Sequence, residues 1–197
     1  MRQPLENGES VIARANHRVS YPANIQLIAA MNPCRCGMAG EPGHVCARGP
    51  RCQADYQGRI SGPLMDRIDI RIDVPAVSAQ DLIRPQPAEG STDVAARVAA
   101  ARQIQQARFR ALGRPDIRTN SQCSTSLVEQ VARPDAGGQS LLNDAAEKMR
   151  FSARAYHRIL KVARTLADLD GAETVGRIHL AEAISYRIAS ERVSAAA

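Results

Sequence analysis

Four of the five cysteines, Cys34, Cys36, Cys46 and Cys52, fall within nineteen residues in the spacing C-x-C-x9-C-x5-C. Four thiolates gathered in a cytosolic protein make an economical tetrahedral Zn²⁺ site, whereas structural disulfides would be reduced there. Gly37, Gly40, Gly43 and Gly49 allow the loop to bend around a small ion, and His44 is a spare ligand. The first pair departs from the C-x2-C knuckle most typical of structural zinc. A structural metal, free thiols and a redox role are the three chemistries such a stretch offers. Cys123 stands apart and reads as ordinary.

Outside this loop, chemistry is carried by amides and guanidinium groups. Asn32 closes the apolar run IQLIAAM and precedes Pro33; by itself, Asn-Pro only opens a turn. Asp66 and Arg67 stand side by side in PLMDRID, which alone reads as a local surface ion pair worth little. Arg154 lies near the start of a helical pattern that Ser152 caps, and its plain reading is an exposed helix arginine. Arg14, His17 and Arg18 crowd the centre of a hairpin pattern, and could contact a polyanion or simply be solvated.

Composition narrows the classes. At 197 residues, with 44% hydrophobic and 23% charged residues and no Trp, the chain has enough material for one compact domain or two small ones. No apolar run approaches the roughly 18 to 20 residues that a membrane span needs, so no membrane insertion is expected. MRQPLENGES lacks the basic and apolar regions of a secretory signal, and a cytoplasmic location is expected. Lys plus Arg exceed Asp plus Glu by 26 to 20, and only Lys148 and Lys161 are lysines. Arginine in excess suits bidentate phosphate contact, although a coding bias toward Arg and Ala gives the same composition.

These residues must be positioned by elements of two kinds. Residues 9–21 alternate apolar and polar about Asn16-His17, as a β-hairpin does. Ile25–Met31 is a short apolar run bounded by Pro33, predicted as a strand buried on both faces of a parallel sheet. Ile68–Val74 alternates as IDIRIDV and is predicted as a second strand ending at Pro75. A Pro-rich linker over 76–92 follows, and from there the period is helical: 93–112, 124–132, 139–149, 152–168 and 177–192. The fold class is thus α/β plus all-α: residues 1–75 form part of an α/β core, and 93–197 a helical lid. No G-x-x-x-x-G-K-[ST] phosphate loop occurs, and no apolar run ends in paired acidic residues for Mg²⁺. The α/β sheet reads as one opened in mid-architecture.

Taken in order, RQPLENGE, the hairpin, PANIQLIAAMNPCRCG, RISGPLMDRID and SARAYHRILKVARTLADL resemble the C-terminal part of the magnesium-chelatase-like AAA+ ATPases, and within them the competence-protein (ComM/YifB) branch. The resemblance implies a P-loop ATPase that forms hexameric rings with ATP and Mg²⁺. It also implies a DNA helicase promoting branch migration during natural transformation. It makes Asn32 the sensor 1 residue that helps position the attacking water, and Arg67 the arginine finger, with Asp66 holding it or pairing across the interface. Arg154 becomes the sensor 2 residue of the lid. Arg14, His17 and Arg18 would lie on a hairpin that points into a central pore, as candidates for DNA backbone contact. Many relatives carry a second C-x-C in the cysteine loop; here Arg48 stands at its last position and Cys52, four residues on, supplies the fourth thiol. The alternative is a non-catalytic, zinc-stabilised module that binds DNA or inserts into rings of an intact relative. Magnesium insertion into a porphyrin, which the family's name suggests, finds no porphyrin-binding feature.

Overall fold

The computed structural model describes residues 2–15, 17–37, 39, 46, 48, 49, 51–74, 77, 83 and 89–188. His44, Asn16, most of the Pro-rich linker and the predicted end of the last helix beyond residue 188 lie outside the described residues. The chain divides into two compact units, one up to Ile68 and one from Asp69 onward.

The first unit opens with a short helix, α1 (Arg2–Asn7), and an antiparallel hairpin of β1 (Glu9–Arg14) and β2 (His17–Pro22). Gly8 joins α1 to β1 at φ +66, a left-handed backbone that a Cβ would strain, and an added Cβ would also run into the Asn24 side chain. The Gly8 carbonyl accepts the Ala23 N–H at 2.6 Å, closing the hairpin where β2 ends. Two further short helices, α2 (Arg51–Gln57) and α3 (Gly62–Met65), carry the chain to Arg67.

The two predicted parallel strands are not formed among the described residues, whose one sheet is the hairpin. Residues 25–31 run without regular structure and leave Ile28 86% exposed, and 70–74 do the same with Val74 at 86%. The physical reason is that a strand is defined by its neighbours. An apolar run has the composition for a buried strand but finds no second edge here to satisfy its N–H and C=O groups.

The second unit is helical: α4 (Ser91–Ala111), a 3-10 turn (Asn120–Gln122), α5 (Thr125–Val131), α6 (Ala136–Met149), α7 (Ala153–Leu169) and α8 (Arg177–Ile188). Local chemistry sets its boundaries. Ser124, Asp135 and Ser152 each accept a backbone N–H from the first turn of the helix they precede. α6 stops at Arg150, which adopts the left-handed conformation. Phe109, Val128, Leu142, Ile159, Leu160, Val175 and Leu180 form one core drawn from all five helices and the loop before α8. Buried in the same unit, Asp168 accepts from Arg108, from Arg164 Nε at 3.0 Å and from Asn120 Nδ2 at 2.8 Å. Arg164 also donates to the carbonyls of Ala172 and Glu173. Burial pulls Arg164 below its ordinary value while Asp168 opposes that shift, so the guanidinium keeps its charge inside the fold.

Candidate metal centre and nucleotide-site residues

The cysteine loop is built from two like turns. In the first, the N–H of Gly37 donates to the carbonyl of Cys34 at 3.1 Å; in the second, Gly49 donates to Cys46 at 2.9 Å. Each turn ends on a glycine with positive φ, +79 and +76, where a side chain would be strained. The first turn supplies two thiols, Cys34 and Cys36. The second supplies Cys46 alone, because Arg48 holds the matching place and is exposed. The fourth thiol comes from the first turn of α2, where the N–H of Cys52 donates to the Gly49 carbonyl at 3.2 Å. The four Sγ atoms all lie within 4.8 Å of one another, with Cys34 to Cys36 at 3.1 Å and Cys36 to Cys46 at 3.0 Å.

This donor set fits Zn²⁺. Ligands about 2.3 Å from a tetrahedral zinc stand about 3.8 Å apart, between the shortest and longest separations seen. All four cysteines are free thiols, and their spacings exceed a disulfide bond. The Cys46 thiol is pushed up to about 12, first by its hydrogen bond with Cys36, with burial adding to the effect and a backbone hydrogen bond at Arg48 opposing it. A dication reverses that preference, since a coordinated thiol is deprotonated. The packing agrees: Cys34 and Cys52 are the only buried residues among the described residues of the first unit. A unit whose buried residues, among those described, are thiols is the setting in which metal binding supplies folding free energy.

The loop connects to the other candidate residues of its unit. Asn32, exposed, is two residues before buried Cys34, and Gln57 at the end of α2 donates to the Pro33 carbonyl at 3.1 Å. Asp66 caps α3 through its backbone N–H, which donates to Gly62 at 2.9 Å. Arg67 is not an open surface arginine: its side chain is 9% exposed, donates to the Pro63 carbonyl and pairs with Glu6 at 2.7 Å. Arg154 belongs to the helical unit, exposed two residues past the Ser152 cap of α7.

On the hairpin, cross-strand register separates the three basic candidates. Arg14 lies opposite His17, on the face shared by the pairs Ile12 with Val19 and Ser10 with Tyr21, whereas Arg18 pairs with Ala13 on the other face. Tyr21 is 52% exposed on the Arg14 face. Sequence reasoning missed Tyr21, Glu6 and Gln57. Alternation could have found Tyr21, but nothing local marks an acid and an arginine sixty-one positions apart as partners.

The magnesium chelatase subunit ChlI family matches residues 1–82, and the C-terminal domain of the same subunit matches residues 88–187, just over half of the chain. The chain belongs to the magnesium chelatase ChlI family. Among curated relatives of this ChlI-family chain, the competence protein ComM of Haemophilus influenzae is 38% identical over 188 residues, covering 95% of this chain and 35% of that protein. An uncharacterized protein of Mycobacterium tuberculosis is 36% identical over 187 residues, with 95% and 36% covered. The uncharacterized protein YifB of Escherichia coli is 34% identical over 192 residues, with 95% and 35% covered. This ChlI-family chain therefore spans about 35% of the length of the relatives it matches. Among its described residues, no helix is long and apolar enough to cross a membrane.

Proposed function

We propose that this chain supplies the sensor, arginine-finger and lid portion of a ring-forming, ATP-hydrolysing AAA+ motor that acts on DNA. The observation that carries this reading is the family match through both units, in an order that runs hairpin, Asn32, Arg67 and Arg154. Two of the candidate residues have a chemistry suited to phosphate: Arg67 to developing charge on a neighbouring subunit's nucleotide, and Arg154 to the γ-phosphate of its own. Asn32 offers an amide to the attacking water. ATP and Mg²⁺, as the family suggests, would be held chiefly by groups this sequence does not contain, since it has no phosphate loop. Zn²⁺, when bound by Cys34, Cys36, Cys46 and Cys52, would fix the segment between Asn32 and Arg67.

The hairpin is the proposed DNA contact. Arg14 and His17 sit side by side at its exposed end, and positive charge without base-reading groups is what backbone binding needs. Fluorescence anisotropy of a labelled single-stranded oligonucleotide with the purified chain tests this, beside an ATPase assay. Binding whose log affinity falls linearly with log salt, with no ATP turnover, is expected. Absent or salt-independent binding would overturn the DNA role, and turnover by the clean chain would overturn the division of labour.

A further inference from the structure

The arginine assigned to a neighbour's nucleotide is turned inward. Arg67 has a 9% exposed side chain, with one nitrogen on the Pro63 carbonyl of its own turn and another 2.7 Å from Glu6 Oε1. Glu6 is an exposed residue whose side chain is 27% exposed. In this position the guanidinium pairs with a carboxylate of its own unit, and that charge-assisted pair has to be broken before the group can reach outward.

Glu6 is placed to pass on the state of the hairpin. It is the penultimate residue of α1, two residues from Gly8, and Gly8 is the single joint between α1 and β1. The N–H of Gly8 donates to Pro4 within α1, while its carbonyl accepts from Ala23 at the exit of β2. Both roots of the hairpin are therefore tied to one residue that is also tied to α1. Glycine adopts the left-handed φ of +66 without strain, so the joint is held by these two backbone hydrogen bonds.

We propose that Glu6 is a positioning residue, a latch that withholds Arg67 until nucleic acid on the hairpin draws α1 away and releases it. The inference rests on the reading of the hairpin as the DNA contact and of Arg67 as the arginine finger. It requires the strand to bind the released form better than the latched one, since a ligand shifts an equilibrium only by its differential affinity. Loss of the carboxylate should then loosen Arg67 with no strand present, its bond to the Pro63 carbonyl remaining.

Hydrogen exchange of the full chain, with and without a single-stranded oligonucleotide, tests this by comparing peptides covering 9–22 and 59–70 in wild type, Glu6→Gln and Glu6→Asp. In wild type the strand is expected to protect 9–22 and to speed exchange in 59–70 by about threefold. In Glu6→Gln, 59–70 is expected to exchange at the faster rate already and to gain nothing from the strand, while 9–22 is still protected. Glu6→Asp keeps the charge and should restore most of the slow exchange. An unaltered 59–70 in Glu6→Gln, or a 59–70 that ignores the strand while 9–22 is protected, would overturn the latch. Failure of the strand to protect 9–22 in wild type would instead sink the hairpin's DNA role, with the strand-free comparison of the variants still deciding whether Glu6 holds Arg67.

Discussion

A thiol that shares hydrogen bonds with other thiols keeps its proton, and Cys46, raised from 9.0 to about 12 mainly by Cys36, shows how the metal-free cluster favours its protonated form. In the metal-free protein the folded-state value lies above the unfolded one. The proton-linked contribution is therefore fully present below the ordinary thiol range and is lost as pH rises toward about 12. Metal uptake must expel such protons, so zinc affinity is expected to be at least about tenfold tighter near pH 8 than near pH 6, measured by competition with a chromophoric chelator. An affinity that does not change with pH would contradict four-thiolate ligation. Replacing Cys52 by Ser is expected to cost as much affinity as replacing Cys36, and replacing Cys123 to cost none. Cys123 sits in the helical core, where burial raises its thiol. The cluster was legible in sequence because cysteine chemistry narrows the choices. The like turns that explain why Cys52 takes the place left by Arg48 were not, since they depend on backbone conformation at Gly37 and Gly49.

Between elements, buried charge is the sharpest constraint. Asp168 ties α4 through Arg108, the 3-10 turn through Asn120 and its own helix through Arg164, with Asp168 and Arg164 almost wholly buried. Asp168→Ala leaves guanidinium groups without their carboxylate and is expected to destabilise the helical unit by about 3–5 kcal/mol in urea unfolding, as for other broken buried pairs. A loss below about 1 kcal/mol would mean that water replaces the carboxylate. At the other unit's joint, Gly8→Ala forces a side chain into a left-handed backbone and is expected to cost about 1–2 kcal/mol, read as faster exchange across the hairpin roots. The helices of the second unit were readable from caps and period: Ser124 and Ser152 stand where the sequence placed them. The start of α6 was not; its first turn is Ala-Gly-Gly, poor helix formers that the Asp135 cap holds in place. Residues 25–31 and 68–74 misled for the opposite reason. Their apolar patterns are genuine, but a strand needs a partner that no local pattern supplies, and Asp69 and Arg71 instead bond to α7 and α8 through Arg158 and the Tyr186 carbonyl.

At the scale of the whole molecule, the family was legible only from the order of the blocks. Asn32, Arg67 or Arg154 taken singly is an ordinary residue, and a net charge of +6 over 197 residues could arise from many causes. The pairing of Arg67 with Glu6 was beyond sequence reading, and it is the contact on which the proposed latch rests. The most direct measurement is the salt dependence of single-stranded DNA binding by the full chain, compared with an Arg14→Ala variant. A single-strand slope becomes shallower by about 0.7 for each phosphate no longer neutralised, so the variant is expected to be shallower by roughly 0.7. An unchanged slope at unchanged affinity would contradict the hairpin's role and move the DNA contact to the arginines elsewhere in the chain.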